Sequence, residues 1–158
     1  MHETAAQFSQ RAAEAYGFEV EVQEFPEGTK TAADAAAAIG CDVAQIASSI
    51  VLIVDGELVV SVTSGANRVD EAKLAAAVDA PGADVRTATP EEIKETLGWS
   101  IGGVPPFCHD TAVPVVMDET LLHHETVWAA AGTPDAVFPI DPERLGDLAG
   151  APTVDVAE

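Results

Sequence analysis

Two β-branched runs, Ile46 to Val54 and Glu57 to Val62, are separated by nothing but Asp55-Gly56. A two-residue connection of this kind takes a type I′ turn, with positive φ at both positions, and Asp-Gly tolerates that better than almost any other pair. The runs therefore pair as an antiparallel hairpin, and every other element has to be placed around it. Before it, Glu3 to Tyr16 carries Ala5, Phe8, Ala12 and Ala15 at helical spacing and stops at Gly17. Phe18 to Phe25 then alternates apolar Phe18, Val20 and Val22 with Glu19, Glu21 and Gln23, which predicts a half-buried strand. Pro26 and Gly28 turn the chain, and Thr31-Ala-Ala-Asp34 opens an alanine-rich helix that ends at Gly40.

After the hairpin, Thr63 to Asp70 reads as a loop whose Asp70 caps a helix through about Val78. A short strand is predicted over Val85 to Ala88. Thr89-Pro-Glu-Glu92 has the form of a capping box with Pro at the first helical position, and its helix stops at Gly98. A loop from Gly98 to Phe107, strands over Val113 to Met117 and Thr126 to Ala130, and a helix after Asp141-Pro142 complete the pattern. The order predicts one α/β domain over residues 1–150, with residues 151–158 as a loose tail.

Charge narrows the setting. The 158 residues hold 27 Asp and Glu against 7 Lys and Arg, a formal charge of −20, while 47% of residues are hydrophobic. That apolar fraction excludes intrinsic disorder. The acidic excess is spread along the chain and lysine is scarce, a pattern that fits concentrated salt, where a Debye length of about 3 Å at molar strength screens the mutual repulsion. The same charge argues against nonspecific polyanion binding and against DNA as a partner. No apolar run approaches the ~20 residues of a membrane span, and the start of the chain lacks a basic-then-apolar leader, so a cytoplasmic protein without a membrane partner is expected. Cys41 and Cys108 are too few for a disulfide framework.

Few residues announce chemistry. His109, His123 and His124 lack partners at metal-ligand spacing, so surface or core placement is the reading and no metal or cofactor is expected. Cys108 next to His109 could be read as a thiol nucleophile, but chain neighbours seldom reach catalytic geometry. No Gly-x-Ser-x-Gly elbow or phosphate loop occurs. Two segments carry more. Gly102-Gly-Val-Pro-Pro106 combines backbone freedom with stiffness, so it either aims N–H groups at a carbonyl oxygen or simply connects helix to strand. Arg68 sits among small polar residues, as a ligand for an anion or as a local ion-pair partner of Asp70 or another nearby carboxylate.

At these residues the sequence resembles the YbaK family, aminoacyl-tRNA deacylases related to the editing domain inserted in bacterial prolyl-tRNA synthetases. The matching pieces run in order: Lys30 to Ala36, Gln45 to Val51, Val62 to Asp70, Ala88 to Glu92, Ile101 to Phe107, Val116 to Asp118 and Trp128 to Gly132. The resemblance implies a single α/β domain built on a mixed, curved β-sheet surrounded by helices. It also implies hydrolysis of the ester that joins a wrong amino acid to the 3′ end of a tRNA, by a free-standing protein that needs no cofactor and has the tRNA end, or an aminoacyl-tRNA synthetase, as partner. Gly102 and Gly103 would hold the aminoacyl carbonyl through backbone N–H groups, with positioning and oxyanion stabilisation supplying most of the rate. Lys30, Thr31, Ile46, Val51, Thr63, Ser64, Asn67, Arg68, Val104, Pro105, His109, Asp118 and Gly132 would surround the ribose and the amino acid. Many active members carry a lysine near the scissile ester where this chain has Ser48, which can donate a hydrogen bond but brings no charge. Cys108 stands where a glycine is usual. Against catalysis stands a noncatalytic module that binds tRNA ends or a synthetase, and a third reading is hydrolysis of small amino acid esters.

Overall fold

The structure, a computed structural model, describes residues 3–25 and 31–158. Lys30, Pro26 and Gly28 lie outside the described residues, and with them the expected turn. The central hairpin forms as its turn chemistry dictates: β2 (Ile46–Val54) pairs antiparallel with β3 (Glu57–Ser64), and Asp55 and Gly56 take φ of 50° and 79°. Around it lie β1 (Gln23–Glu24), β4 (Val85–Thr87), β5 (Val115–Asp118), β6 (Val127–Ala130), β7 (Ala136–Ile140) and β8 (Thr153–Val154). The eight strands make one sheet in the order β1-β7-β6-β2-β3-β5-β8, with β4 also against β2. It is mixed: β6 joins β2, β5 joins β3 and β8 joins β5 in parallel, and the other neighbours are antiparallel.

Helices cover both faces. Along each strand successive side chains alternate faces, so Val51, Ile53, Val60 and Val62 point one way and Leu52, Val54 and Val59 the other. The first set meets α1 (Glu3–Tyr16), α4 (Pro90–Leu97) and α5 (Pro142–Ala149) in the main core, through Phe8, Ile93, Leu97 and Leu145. The second set packs on Leu74 of α3 (Glu71–Ala77), while α2 (Ala32–Ile39) lays Ala35 and Ala36 on Ile46. Phe8 anchors α1, with the rings of Phe107 and Phe138 at 5.5 and 5.2 Å and Trp99 edge-on at 6.0 Å. Offset and edge contacts of this kind add about 0.5–1.5 kcal/mol each beyond area burial.

The expected helix starts are real caps. Thr31 Oγ1 accepts from Asp34 N and Asp70 Oδ1 from Lys73 N, both at 3.1 Å. Thr89 and Glu92 bond each other's backbone reciprocally at 3.2 and 2.9 Å. Such caps are each worth about 1 kcal/mol.

Three expectations are corrected. The strand expected over Phe18 to Phe25 keeps its alternating burial, but ladder pairing is confined to Gln23 and Glu24 opposite Val137 and Ala136. Extending that register would set Glu21 against Pro139, which has no N–H to give. β7, which carries that proline, was not expected at all. The tail is not loose: β8 pairs with β5, Val156 is fully buried, and Ala157 bridges Val69. Lys73 Nζ fastens it further by donating to Asp155 Oδ2 at 3.0 Å and to Ala157 O at 2.8 Å.

Candidate functional site

β2 is paired on its outer edge at both ends and nowhere between. β6 runs beside Ile46 and Ala47, β4 runs beside Leu52 to Val54, and residues 48–50 have no strand neighbour on that side. Into this split opens a cavity of about 680 Å³. Its floor is the half-paired stretch of β2, with Ser48 opposite Thr63 across the hairpin. Its walls are Thr31 and Ala32 at the start of α2, Trp128 and Ala130 of β6, and Ile101, Gly102 and Val104 of the glycine-rich loop. Arg68 and Glu158 stand on its border, joined through the backbone, where Glu158 N donates to Arg68 O at 3.0 Å.

Of the residues singled out from sequence, Ser48, Thr31, Ile46, Val51, Thr63, Ser64, Asn67, Arg68, Gly102 and Val104 line this cavity. Gly103, Pro105, His109, Asp118 and Gly132 do not. Each has another task. A Cβ on Gly103 would sit 2.6 Å from the Thr133 Cα, so glycine is required for two backbones to touch. Its N–H donates to Ser100 O and its C=O accepts from Gly132 N, both at 3.0 Å, which leaves it no donor for a carbonyl. Gly132, with φ of 98°, lies against the Trp99 ring, where a Cβ would come within 3.0 Å. Pro105 offers its carbonyl to His109 Nε2 at 2.8 Å, an inward bond that keeps the imidazole away from the cavity. Burial, the largest influence on His109, holds its pKa below the usual value, so the ring favours its neutral form.

Asp118 organises the loop from below. Fully buried at the end of β5, it accepts from Ser64 N at 3.1 Å and Asn67 Nδ2 at 2.9 Å through one oxygen. Its other oxygen accepts from Thr120 N at 3.0 Å and Thr120 Oγ1 at 2.8 Å. Burial pushes this carboxyl up, but the bonds from Asn67, Thr120 and Ser64 together outweigh it and hold the pKa below the ordinary carboxylate value. The charged form therefore pins the segment that presents Asn67 and Arg68. Gly65 in the same segment is close-packed, since a Cβ there would come within 2.6 Å of Val43 O.

Arg68 makes no ion pair with Asp70, whose carboxylate caps α3 instead. Among the described residues the ion pairs take Arg11, Lys73 and Arg86, while Arg144 lies over the Phe18 ring. The thiol reading of Cys108 fails: the residue is buried and does not line the cavity, burial lifts its pKa to about 11, and the neighbouring His109 ring bonds Pro105 O instead. With φ of 65° Cys108 holds a left-handed conformation that glycine adopts more easily. Among the described residues no group of three or more His, Cys, Asp or Glu converges as metal ligands. Ser49, Ile101 and Trp128 line the cavity without having been singled out, although each sits in one of the motif segments.

The same architecture recurs in proteins of known description. The crystal structure of a candidate trans-editing enzyme for prolyl-tRNA synthetase superposes with a TM-score of 0.90 at 42% identity, covering 100% of this chain and 99% of that one. An uncharacterized protein of Bacillus subtilis (strain 168), YwhH, is 31% identical over 133 residues, 82% of each chain. A proline–tRNA ligase of Lactobacillus acidophilus is 32% identical over 128 residues, which are 77% of this chain but 22% of the ligase. The model of the aminoacyl-tRNA editing domain matches residues 26–148, a span that takes in the split in the sheet, the Asp118-pinned loop and the glycine-rich segment. The chain belongs to the aminoacyl-tRNA editing domain family.

Proposed function

We propose that this chain is a free-standing trans-editing hydrolase that cleaves the ester of a mischarged aminoacyl-tRNA, with the tRNA 3′ end as its partner. The observation that carries the reading is the cavity at the split in the sheet, where Gly102, at φ of 84°, faces the polar stretch of β2 that includes Ser48. Gly103 N–H is taken by Ser100, so the loop's contribution to a developing oxyanion rests on Gly102 and Val104. Hydrolysis then needs a water positioned at the ester carbon, and no side-chain nucleophile. Arg68 also lines the cavity, and we assign to it the positive charge that Ser48 does not bring.

Ser48 in place of the family's lysine favours one second reading, a noncatalytic module that holds aminoacyl-tRNA ends or docks on a synthetase. A panel of mischarged tRNAs in molar KCl separates the two. Deacylation above the spontaneous rate for at least one tRNA, persisting as salt rises, is expected; none for any of them overturns the hydrolase. Gly102→Ala serves as the site control, because a Cβ there meets Pro134 at an ordinary 3.5 Å. The left-handed φ makes the variant cost about 1–2 kcal/mol in stability, while turnover is expected to fall at least a hundredfold.

A further inference from the structure

We infer that Ser49 docks the aminoacyl group through its own main chain, so that the substrate's amino acid is added to the sheet as one more residue beside β2. The inference rests on the editing reading above and adds to it the atoms that recognise the amino acid.

The direction of the backbone groups along β2 follows from two hydrogen bonds. Gly65 N donates to Ile46 O at 2.8 Å, so even-numbered residues of the strand turn their N–H and C=O toward β3. Ala88 N donates to Val51 O at 3.1 Å from the opposite edge, so odd-numbered residues turn theirs outward. The β6 ladder ends at Ala47 and the β4 ladder begins at Leu52. Two odd residues lie between them: Val51 gives its carbonyl to Ala88, and Ser49 turns both its N–H and its C=O toward the split.

Neither flanking strand pairs with it. Continuing the β4 register would bring Pro90 opposite Ser49, and Pro90 has no N–H and already starts α4. β6 pairs with β2 no further than Ala129, and from Ala130 on its partner is β7, with Ala131 N donating to Ala136 O at 2.9 Å and Gly132 turning the chain at φ of 98°. Among the described residues Ser49 is also the one whose buried side-chain hydroxyl has no hydrogen-bond partner. Ser49 lines the cavity, so among the described residues three polar groups of a single residue have no partner and are open to a ligand.

The complement of that edge is specific. In an antiparallel sheet a hydrogen-bonded residue pair exchanges two bonds, N–H to C=O in each direction. An esterified α-amino acid presents the same pair of groups on a single residue, an α-ammonium donor and an ester carbonyl acceptor flanking one Cα. The ammonium donates to Ser49 O, and the carbonyl accepts from Ser49 N–H, which polarises it toward attack by water. Contacts of this type read the α-amino acid as a class and leave side-chain selection to the walls.

The test uses a stable mimic, 3′-deoxy-3′-(L-alanylamino)adenosine, titrated into the isotope-labelled protein in molar KCl and followed by amide NMR. Ser49 is expected to show the largest amide shift in β2 and at least tenfold slower hydrogen exchange, with Ser48 and Ile50, whose N–H groups face β3, nearly unmoved. The propionylamino analogue, which lacks the ammonium, is expected to bind at least tenfold more weakly. Shifts at Ile101 and Gly102 with Ser49 unmoved, or equal affinity for the two mimics, overturn the docking inference and leave the editing reading standing. No shift anywhere in the cavity at millimolar mimic overturns both.

Discussion

The two halves of β2 belong to one hairpin and follow opposite rules. Residues 52–54 have β3 on one side and β4 on the other, and Leu52, Ile53 and Val54 are 4%, 8% and 3% exposed. Residues 48–50 have β3 alone, carry two serines, and end on Ile50 at 36% exposure. The hairpin turn fixes both halves in space, but the site arises only where a neighbouring strand is withheld. Rigidity of the paired half holds the unpaired half open, which is how a strand can present backbone groups without collapsing onto them.

The sharpest way to break this comparison is to mutate each half in turn. Ile53→Ala removes buried methylenes from the main core and is expected to cost about 3 kcal/mol in urea unfolding in molar KCl, with the KM for mischarged tRNA unchanged. Ser48→Ala is expected to move stability by less than about 0.5 kcal/mol while lowering deacylation clearly. If Ser48→Ala destabilises as much as Ile53→Ala, the unpaired half is structural after all.

Asp118→Asn probes the support beneath the open half. It faces an amide NH₂ toward donors that met a carboxylate oxygen, and a loss of about 2 kcal/mol is expected. The pH dependence carries the sign. The folded pKa lies below the unfolded carboxylate value of about 4, so the stabilisation is fully present above that pH and is lost as pH falls through the folded value. Unfolding measured along the acid limb should show this loss in the native chain and not in the variant. His109 gives the smallest effect. Its folded pKa lies below the unfolded value of about 6.5, so its neutral ring contributes fully above that value and the contribution declines as pH falls below it. His109→Gln should flatten that decline without altering deacylation at pH 7.5, because the ring faces Pro105 rather than the cavity.

What could be read from the chain follows the range of the forces involved. The hairpin, the Thr31, Asp70 and Thr89 caps and the helix ends at Gly40 and Gly98 were legible, because each depends on residues within four positions. β7 was not, since Pro139 interrupts a five-residue run whose neighbours, β6 and β1, are defined only by the fold. The tail was misread for the same reason: Val156 gains its burial from distant residues, and nothing around it in sequence says so. Around the cavity, the motif segments come together, but neighbours within one segment are placed differently. Gly102 and Gly103 are adjacent and alike in sequence, yet one lines the cavity and the other is pressed against the Thr133 backbone. The split at residues 48–50 is a property of which strands come to flank β2, and of the proline that keeps β4 from running on.

An unpaired strand edge ordinarily invites other chains to zip onto it, the usual route to sheet-to-sheet aggregation. Here the opening is three residues long and lies between β6 and β4, too short for a foreign strand to gain a register before it meets a wall. The −20 charge on the surrounding surface repels a second copy at ordinary salt, but in molar salt that protection is screened away. What then keeps strands of other chains off the edge is its shortness and the walls on either side of it.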